Sequence, residues 1–279
     1  MSTYYYLVAG LPDLSLDDGK LSYTVDSFKA ELYPFLPAGD QKLVDLFYLK
    51  YDNRDLLALL KDKEAVTSGR GCFSGEELLA LVETVRNGDT VDKQFPPYLA
   101  AFVADYLTLA PEDLYTAEDR LAAGYYAYGM ACGNRLVADW FEFNLNMGNV
   151  FAALTARKYK REVADVIVGD NAVCEQLRTS NARDFGLGEE LDYFNAVQRI
   201  AEMDELVGRE KQVDLLKWNW LDNASFFNYF TIERLFVFLQ QIDMIERWIS
   251  LDKESGSDLF RLMIRQLKEQ VQIPEEFRK

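Results

Sequence analysis

A tripeptide that could take part in phosphoryl transfer lies at Asp184-Phe185-Gly186, because protein kinases hold magnesium with this triplet. The other parts of a kinase site are missing. The sequence has no glycine-rich loop at its start, no VAIK-type strand and no histidine for a catalytic loop. We therefore interpret the triplet as coincidental, and Gly186–Gly188 as a turn leading into a helix that begins at Glu189.

Carboxylate groups are the second set of residues with possible chemistry. The segment 13–19 has the spacing of a calcium loop, but its glycine comes one place late and its twelfth position is Thr24 instead of glutamate. The pairs Glu76–Glu77 and Glu189–Glu190 could bind a metal, yet di-iron bundles need Glu-x-x-His. Helix dipoles alone explain acidic residues at helix N-termini. The sequence thus predicts no catalytic residue, no metal and no cofactor.

Composition narrows the function further. The chain has 279 residues, no histidine and a formal net charge of −16, which repels nucleic acids and anionic lipids and would suit a basic protein partner. Lack of histidine removes the commonest general base. Three widely spaced cysteines, no signal peptide and no apolar stretch near 20 residues indicate a cytoplasmic protein without a membrane span.

One motif occurs two or three times along the chain. Residues 43–63 align with residues 137–157 at a constant offset of 94, and a looser third copy starts at Asp214. Amphipathic helices can also resemble one another by chance, so that alternative stays open. A true repeat predicts a molecule built from copies of one helical unit. The polar positions of the motif are Asp45, Asp52, Asn53, Asp139, Asn146, Asn149, Asp222 and Asn223.

These motif positions are predicted to be structural. We expect Asp52, Asn53, Asn146 and Asn149 to cap backbone groups and not to contact a partner. Two other groups are candidate partner contacts. The first is a basic cluster of Arg157, Lys158, Lys160 and Arg161; the second is an aromatic cluster of Trp218, Trp220, Phe226, Phe227, Tyr229 and Phe230. The alternatives are a solvated helix end for the basic residues and core packing for the aromatic residues.

The elements that must position these residues are helical over roughly two thirds of the chain. Ser74 and Glu77 form a capping box before a helix that ends at Asn87–Gly88. The segment 2–9 is predicted to be an extended arm. In the first motif copy a helix is predicted after Asp52, and another runs from 121 to beyond 136. Further helices are predicted at 26–33, 189–207, 224–249 and 257–272. The helix from 121 contains Gly124, Gly129 and Gly133, which predicts close approach of another helix or a kink.

Four strings together resemble a known family: YYYLVAGLPDLS near the start, NLNMGNVFAALTARKY at 144–159, RTSNARDFGLGEEL at 178–191 and FTIERLFVFLQQIDMIERWISLDKESG at 230–256. The chain resembles a bacterial domain-of-unknown-function family encoded beside V-type (A-type) ATPase subunits. That family in turn resembles the C-type subunit of these ATPases, the counterpart of the eukaryotic d-type subunit.

The resemblance implies an all-α, three-lobed funnel with tentative lobes at 1–95, 96–207 and 208–279 of one continuous domain. It implies a non-catalytic socket that couples the central stalk, with its D-type and F-type subunits, to the membrane proteolipid ring, and a place at the inner membrane through that complex. The chain is shorter than a typical C-type subunit. A helical adaptor unrelated to the ATPase, or an enzyme that uses carboxylates with a metal, are the alternatives.

Overall fold

The computed structural model describes residues 4–251. Within that range the chain forms eleven α-helices and no strand, so the all-α prediction is confirmed. The helices are α1 Tyr4–Ala9, α2 Val25–Glu31, α3 Ala38–Lys61, α4 Gly75–Asn87, α5 Pro97–Tyr106, α6 Ala117–Met130, α7 Arg135–Lys158, α8 Ala172–Thr179, α9 Phe194–Ala201, α10 Leu206–Ser225 and α11 Ile232–Ser250.

The N-terminal arm was predicted wrongly, because Tyr4–Ala9 is helical instead of extended. No strand in the described range lies beside it to pair with its backbone, whereas α11 offers an apolar face on which α1 rests. In the first motif copy the helix begins at Ala38, well before Asp52. The helix expected at 257–272 lies outside the described residues.

Local capping chemistry sets both ends of α4 as predicted. The Ser74 hydroxyl accepts from the Glu77 N–H, and the Glu77 carboxylate accepts from the Ser74 N–H, which completes the capping box of α4. Gly88 ends this helix in the left-handed conformation, with φ of 74°.

Three predicted helices are interrupted or shortened in the structure. The helix expected from 121 to beyond 136 ends at Met130, and Gly133 turns the chain with φ of 78° before Asn134 caps α7. Of the helix expected at 189–207, the structure forms only the part Phe194–Ala201, which is α9, before α10 begins at Leu206. The helix expected at 224–249 begins at α11, because the chain leaves the helical path between residues 226 and 231.

The most buried element is α11. Residues 235–239 are each at most 1% exposed, so the prediction of a centrally buried segment is confirmed. This helix contacts α2, α3, α7 and α10. The three helices that carry the motif copies, α3, α7 and α10, therefore share α11 as a common packing partner. The buried apolar residues form one continuous cluster.

Candidate functional site

Asp52 holds the loop that follows the first motif helix. Its side chain is fully buried, with no solvent exposure. The Cys72 N–H donates to Oδ2 at 2.7 Å, and the Phe73 N–H donates to Oδ1 at 3.0 Å. Gly71 lies so close that a Cβ there would overlap the carboxylate. The net effect of burial is to raise the pKa of Asp52 even though these N–H donors stabilise the anion.

A second carboxylate on the same helix holds the same loop one turn later. Asp55 is 5% exposed and accepts from the Ser68 N–H at 3.0 and 2.9 Å. The Ser68 hydroxyl also donates to it, at 2.8 Å. Together the two carboxylates fix residues 68–73, the connection into α4.

The second motif helix holds its following loop with amides. Asn149 accepts from the Val168 N–H at 2.9 Å and donates to the Val168 carbonyl at 2.7 Å. The Asn146 carbonyl oxygen accepts from the Asn171 amide at 2.7 Å, and Asn171 is the N-cap of α8. Both asparagines are 3% exposed. The loop from 168 to 171 is thus tied to α7 before the next helix begins.

Positions that align between the first and second motif copies therefore make equivalent contacts. At the offset of 94, Asp52 aligns with Asn146 and Asp55 aligns with Asn149. All four are buried, and each binds the loop after its own helix at a residue that precedes or caps the next helix. In the third copy Asp222 is exposed and accepts from Gln241 of α11 at 2.7 Å, so this copy does not hold a following loop in the same way.

The remaining motif residues have other roles. Asp45 accepts from the Tyr33 hydroxyl at 2.7 Å, and Asn53 accepts from the Tyr98 hydroxyl at 2.7 Å instead of from a backbone group. Asp139 and Asn223 are exposed, and Asp139 pairs with Arg135.

A cavity of about 260 Å³ lies where the motif helices meet. Phe47 and Lys50 of α3 line it, as do Phe141 and Asn144, their counterparts at the offset of 94 on α7. The other lining residues come from α6, α7, α10 and α11: Tyr125, Tyr126, Trp140, Asp214, Lys217, Gln240, Asp243, Met244 and Arg247. Five helices thus contribute to one partly charged space.

Two of the three cations in the cavity are paired. Lys50 donates to Asp243 at 2.7 Å, and Arg247 donates to Asp214, which also accepts from Trp248 Nε1 at 2.7 Å. Lys217 has no acidic partner within 4.0 Å among residues 4–251, and its ammonium donates no hydrogen bond there. Desolvation lowers the pKa of Lys50 and of Lys217, although nearby carboxylates oppose the shift in both cases.

Replacing Lys217 should stabilise the protein. Lys217→Met keeps the apolar stem and removes a poorly compensated charge, so we expect the free energy of unfolding to rise by roughly 1 kcal/mol at pH 7. A lysine pKa that is lower in the folded state makes wild-type stability increase with pH, up to the unfolded value of roughly 10.4. The advantage of the variant over wild type should therefore shrink between pH 7 and pH 10 in urea titrations. A variant less stable than wild type would contradict this.

The basic cluster divides into one partly buried residue and three exposed residues. Arg157 donates to the carbonyl groups of Ala182, Arg183 and Ser180, and its guanidinium lies 3.4 Å from the centroid of the Phe185 ring. It therefore braces the turn that contains the Asp-Phe-Gly triplet. The neighbouring Lys158, Lys160 and Arg161 are exposed.

The aromatic cluster also divides. Trp218 is 7% exposed, and Trp220 stacks on Phe143 with ring centroids 5.3 Å apart, so both tryptophans belong to the interior. Core packing was the wrong interpretation for the residues that follow. An aromatic patch stands on the turn between α10 and α11 and on α1; it comprises Tyr5, Tyr6, Phe226, Phe227, Tyr229 and Phe230, which are 43–86% exposed. Tyr5 joins the two parts, with its ring centroid 4.9 Å from that of Phe230.

Comparison with known proteins places the chain in a family but gives it no function. The profile of a family described as "Protein of unknown function (DUF2764)" matches residues 1–271. The chain belongs to this family. The searches of curated proteins and of solved structures each returned no match.

The described residues of this DUF2764 protein were compared with the requirements of a membrane-spanning helix and of a metal site. No helix there is both long and apolar enough to cross a membrane. No group of three or more acidic or cysteine side chains there is arranged to hold a metal ion.

Sequence reasoning missed the residues of the cavity in this DUF2764 protein. A usable signal was present, because Lys50 and Lys217 each interrupt apolar runs inside motif copies. Asp55 was also missed, although the offset of 94 places it opposite Asn149.

Proposed function

We propose that this DUF2764 protein is a non-catalytic subunit of a V/A-type ATPase, a C-type or d-type connector between the central stalk and the proteolipid ring. Its partners are then the D-type and F-type stalk subunits and the ring, at the cytoplasmic side of the inner membrane, in support of rotary proton or sodium transport. The matched placement of Asp52 with Asn146, and of Asp55 with Asn149, carries the proposal, because two copies of one helical unit would share it.

Stiffness is the mechanical requirement on such a connector, since a compliant link would dissipate stepwise rotation. Two features of the chain favour stiffness. The motif helices share one buried partner in α11, and buried polar side chains tie the loops after α3 and α7 to those helices. Buried hydrogen bonds of this kind are costly to break, so the loops resist displacement under load.

The aromatic patch is the surface best suited to a protein partner. Exposed Phe and Tyr side chains are enriched at protein interfaces and are uncommon in such density on a free surface. The net charge of −16 adds long-range attraction for a basic partner surface. A protein partner accounts for both properties.

Co-purification from native membranes tests the proposal. A tagged chain should retain ATPase stalk and ring subunits, and Phe226→Ser with Phe227→Ser should reduce their recovery at least tenfold. Tyr115→Ser with Phe35→Ser is the matched control, because those aromatic side chains are 81% and 66% exposed and lie outside the patch. Both double variants should give the wild-type circular dichroism spectrum.

A helical adaptor unrelated to the ATPase is the second candidate, and the aromatic patch favours it equally because the patch does not specify the partner. The same experiment separates the two. Recovery of a defined set of proteins without ATPase subunits, lost with the patch variant, would overturn the connector and support the adaptor. Equal recovery of ATPase subunits by both double variants would overturn the role of the patch.

A further inference from the structure

We propose that the cavity between α3, α6, α7, α10 and α11 binds a small organic anion, one carboxylate group joined to a flat apolar body, with Lys217 as its counter-ion. This ligand site is independent of the proposed rotor function. It rests on three observations: an unmatched cation, a wall of aromatic rings and a cavity that reaches solvent.

One of the three cationic side chains that line the cavity has no ion-pair partner among the described residues. Lys50 pairs with Asp243 and Arg247 with Asp214, while no acidic group of the described residues lies within 4.0 Å of the Lys217 ammonium. The second carboxylate near Arg247, Glu210 at 3.9 Å, is outside the lining. In a chain with a net charge of −16, a cavity with three cationic and two anionic side chains is locally inverted in charge. An anion is the ligand that this field attracts.

The cavity wall suits a planar apolar group. Phe47, Trp140 and Phe141 contribute aromatic surface, and all three are at most 6% exposed, so their positions are fixed by packing. The hydroxyl of Tyr125 donates to the Leu46 carbonyl at 2.7 Å, which orients a further ring at the cavity. Offset or edge-on contact with such rings stabilises an aromatic ligand beyond the burial of its area.

Polar groups and access complete the site. Asn144 and Gln240 also line the cavity. The Asn144 amide already donates to the Trp140 carbonyl at 2.7 Å, so its second N–H and the Gln240 amide are the groups that can donate to a ligand oxygen. The side chains of Lys50 and Arg247 are 33% and 46% exposed, so solvent reaches the cavity along them. A volume of about 260 Å³ is at the small end for ligand pockets, which commonly hold about 300 Å³ or more, so the ligand is a small molecule.

A lysine with a purely structural role is expected to make an ion pair or a hydrogen bond, or to stabilise the folded protein. Lys217 makes no ion pair and donates no side-chain hydrogen bond within residues 4–251, and we expect its charge to cost stability because desolvation opposes it. Binding sites commonly retain groups that cost stability, because the ligand supplies the missing interaction. The expected stability gain of Lys217→Met makes this distinction testable, since a loss of ligand binding in that variant cannot then be ascribed to unfolding.

Benzoate is the probe, with two matched compounds as controls. Trp140 lines the cavity, so titration of the full chain with benzoate should change tryptophan fluorescence with saturation, and calorimetry should report heat at the same concentrations. Benzylamine carries the same ring with the opposite charge, and acetate carries the carboxylate without the ring. Both should bind at least tenfold more weakly than benzoate.

The variants identify the counter-ion. Lys217→Met should weaken benzoate binding at least tenfold, whereas Lys63→Met, which makes the same charge change at a side chain that is 62% exposed, should leave it unchanged. The proposal is overturned if benzoate gives no saturable signal up to about 10 mM, about tenfold above a millimolar dissociation constant. It is also overturned if benzylamine binds as well as benzoate, or if Lys217→Met binds benzoate like wild type. Even if a variant fails to fold, comparing benzoate, benzylamine and acetate on the wild-type protein still tests whether the cavity binds an aromatic anion.

Discussion

Asp52→Ala is expected to lower the free energy of unfolding by about 3 kcal/mol. The substitution removes a fully buried acceptor and leaves the N–H groups of Cys72 and Phe73, which are themselves partly buried, without a partner. Each unsatisfied buried donor costs about 1–3 kcal/mol, and the absent side chain also leaves a small cavity. Urea denaturation followed by circular dichroism at 222 nm measures the loss.

Asp52→Asn is the matched control for this prediction. Its amide has nearly the same shape but only one acceptor oxygen, so one of the two loop N–H groups keeps its partner. We expect a loss between zero and that of the alanine variant. Asn149→Ala should cost a similar amount to Asp52→Ala, since it frees both the N–H and the carbonyl of Val168. Losses below about 1 kcal/mol in both alanine variants would show that these loops are not held by the motif residues.

The helical class and both ends of α4 could be predicted from sequence because they depend on local chemistry. Ser74 with Glu77, and Gly88, act on their own backbone within a few residues, so a pattern of types and spacings is sufficient. The burial of residues 235–239 was predictable for a related reason, since a helix that is apolar on every side has no face for solvent.

The predictions that failed concern features that depend on packing between distant parts of the chain. The run from Phe226 to Phe230 contains no proline or glycine, so nothing local announces the turn between α10 and α11. That turn puts the aromatic patch outside the core, so only the tertiary structure decides between the partner contact and the core packing that the sequence left open. Lys50 and Lys217 hinted at a polar space between the motif helices, but the position and lining of the cavity could not be predicted, because five helices supply its residues and no short stretch of sequence contains them.

The second large effect is expected at Gly129, near the end of α6. A Cβ at this position would overlap the ring of Phe141 on α7, which is 4% exposed and lines the cavity. The ring is held between Tyr125 and Tyr126, with centroids 5.1 and 6.2 Å away, so it has little room to withdraw. Gly129→Ala should therefore force α6 and α7 apart and lower the free energy of unfolding by about 3 kcal/mol, the upper part of the range for overpacked cores.

Gly148→Ala is the control, and it should have the opposite sign. Gly148 lies inside α7, and nothing within 4 Å would meet a Cβ there beyond its own helix backbone. Alanine in place of glycine stabilises a helix interior by about 0.5–1 kcal/mol. Because both variants add one methyl group to a helical glycine, helix propensity favours alanine at both, and less at Gly129 because it lies in the last turn of α6. A difference of about 3 kcal/mol or more between their unfolding free energies then measures the close approach of α6 to α7, and similar effects at the two sites would show that this approach is loose enough to absorb a methyl group.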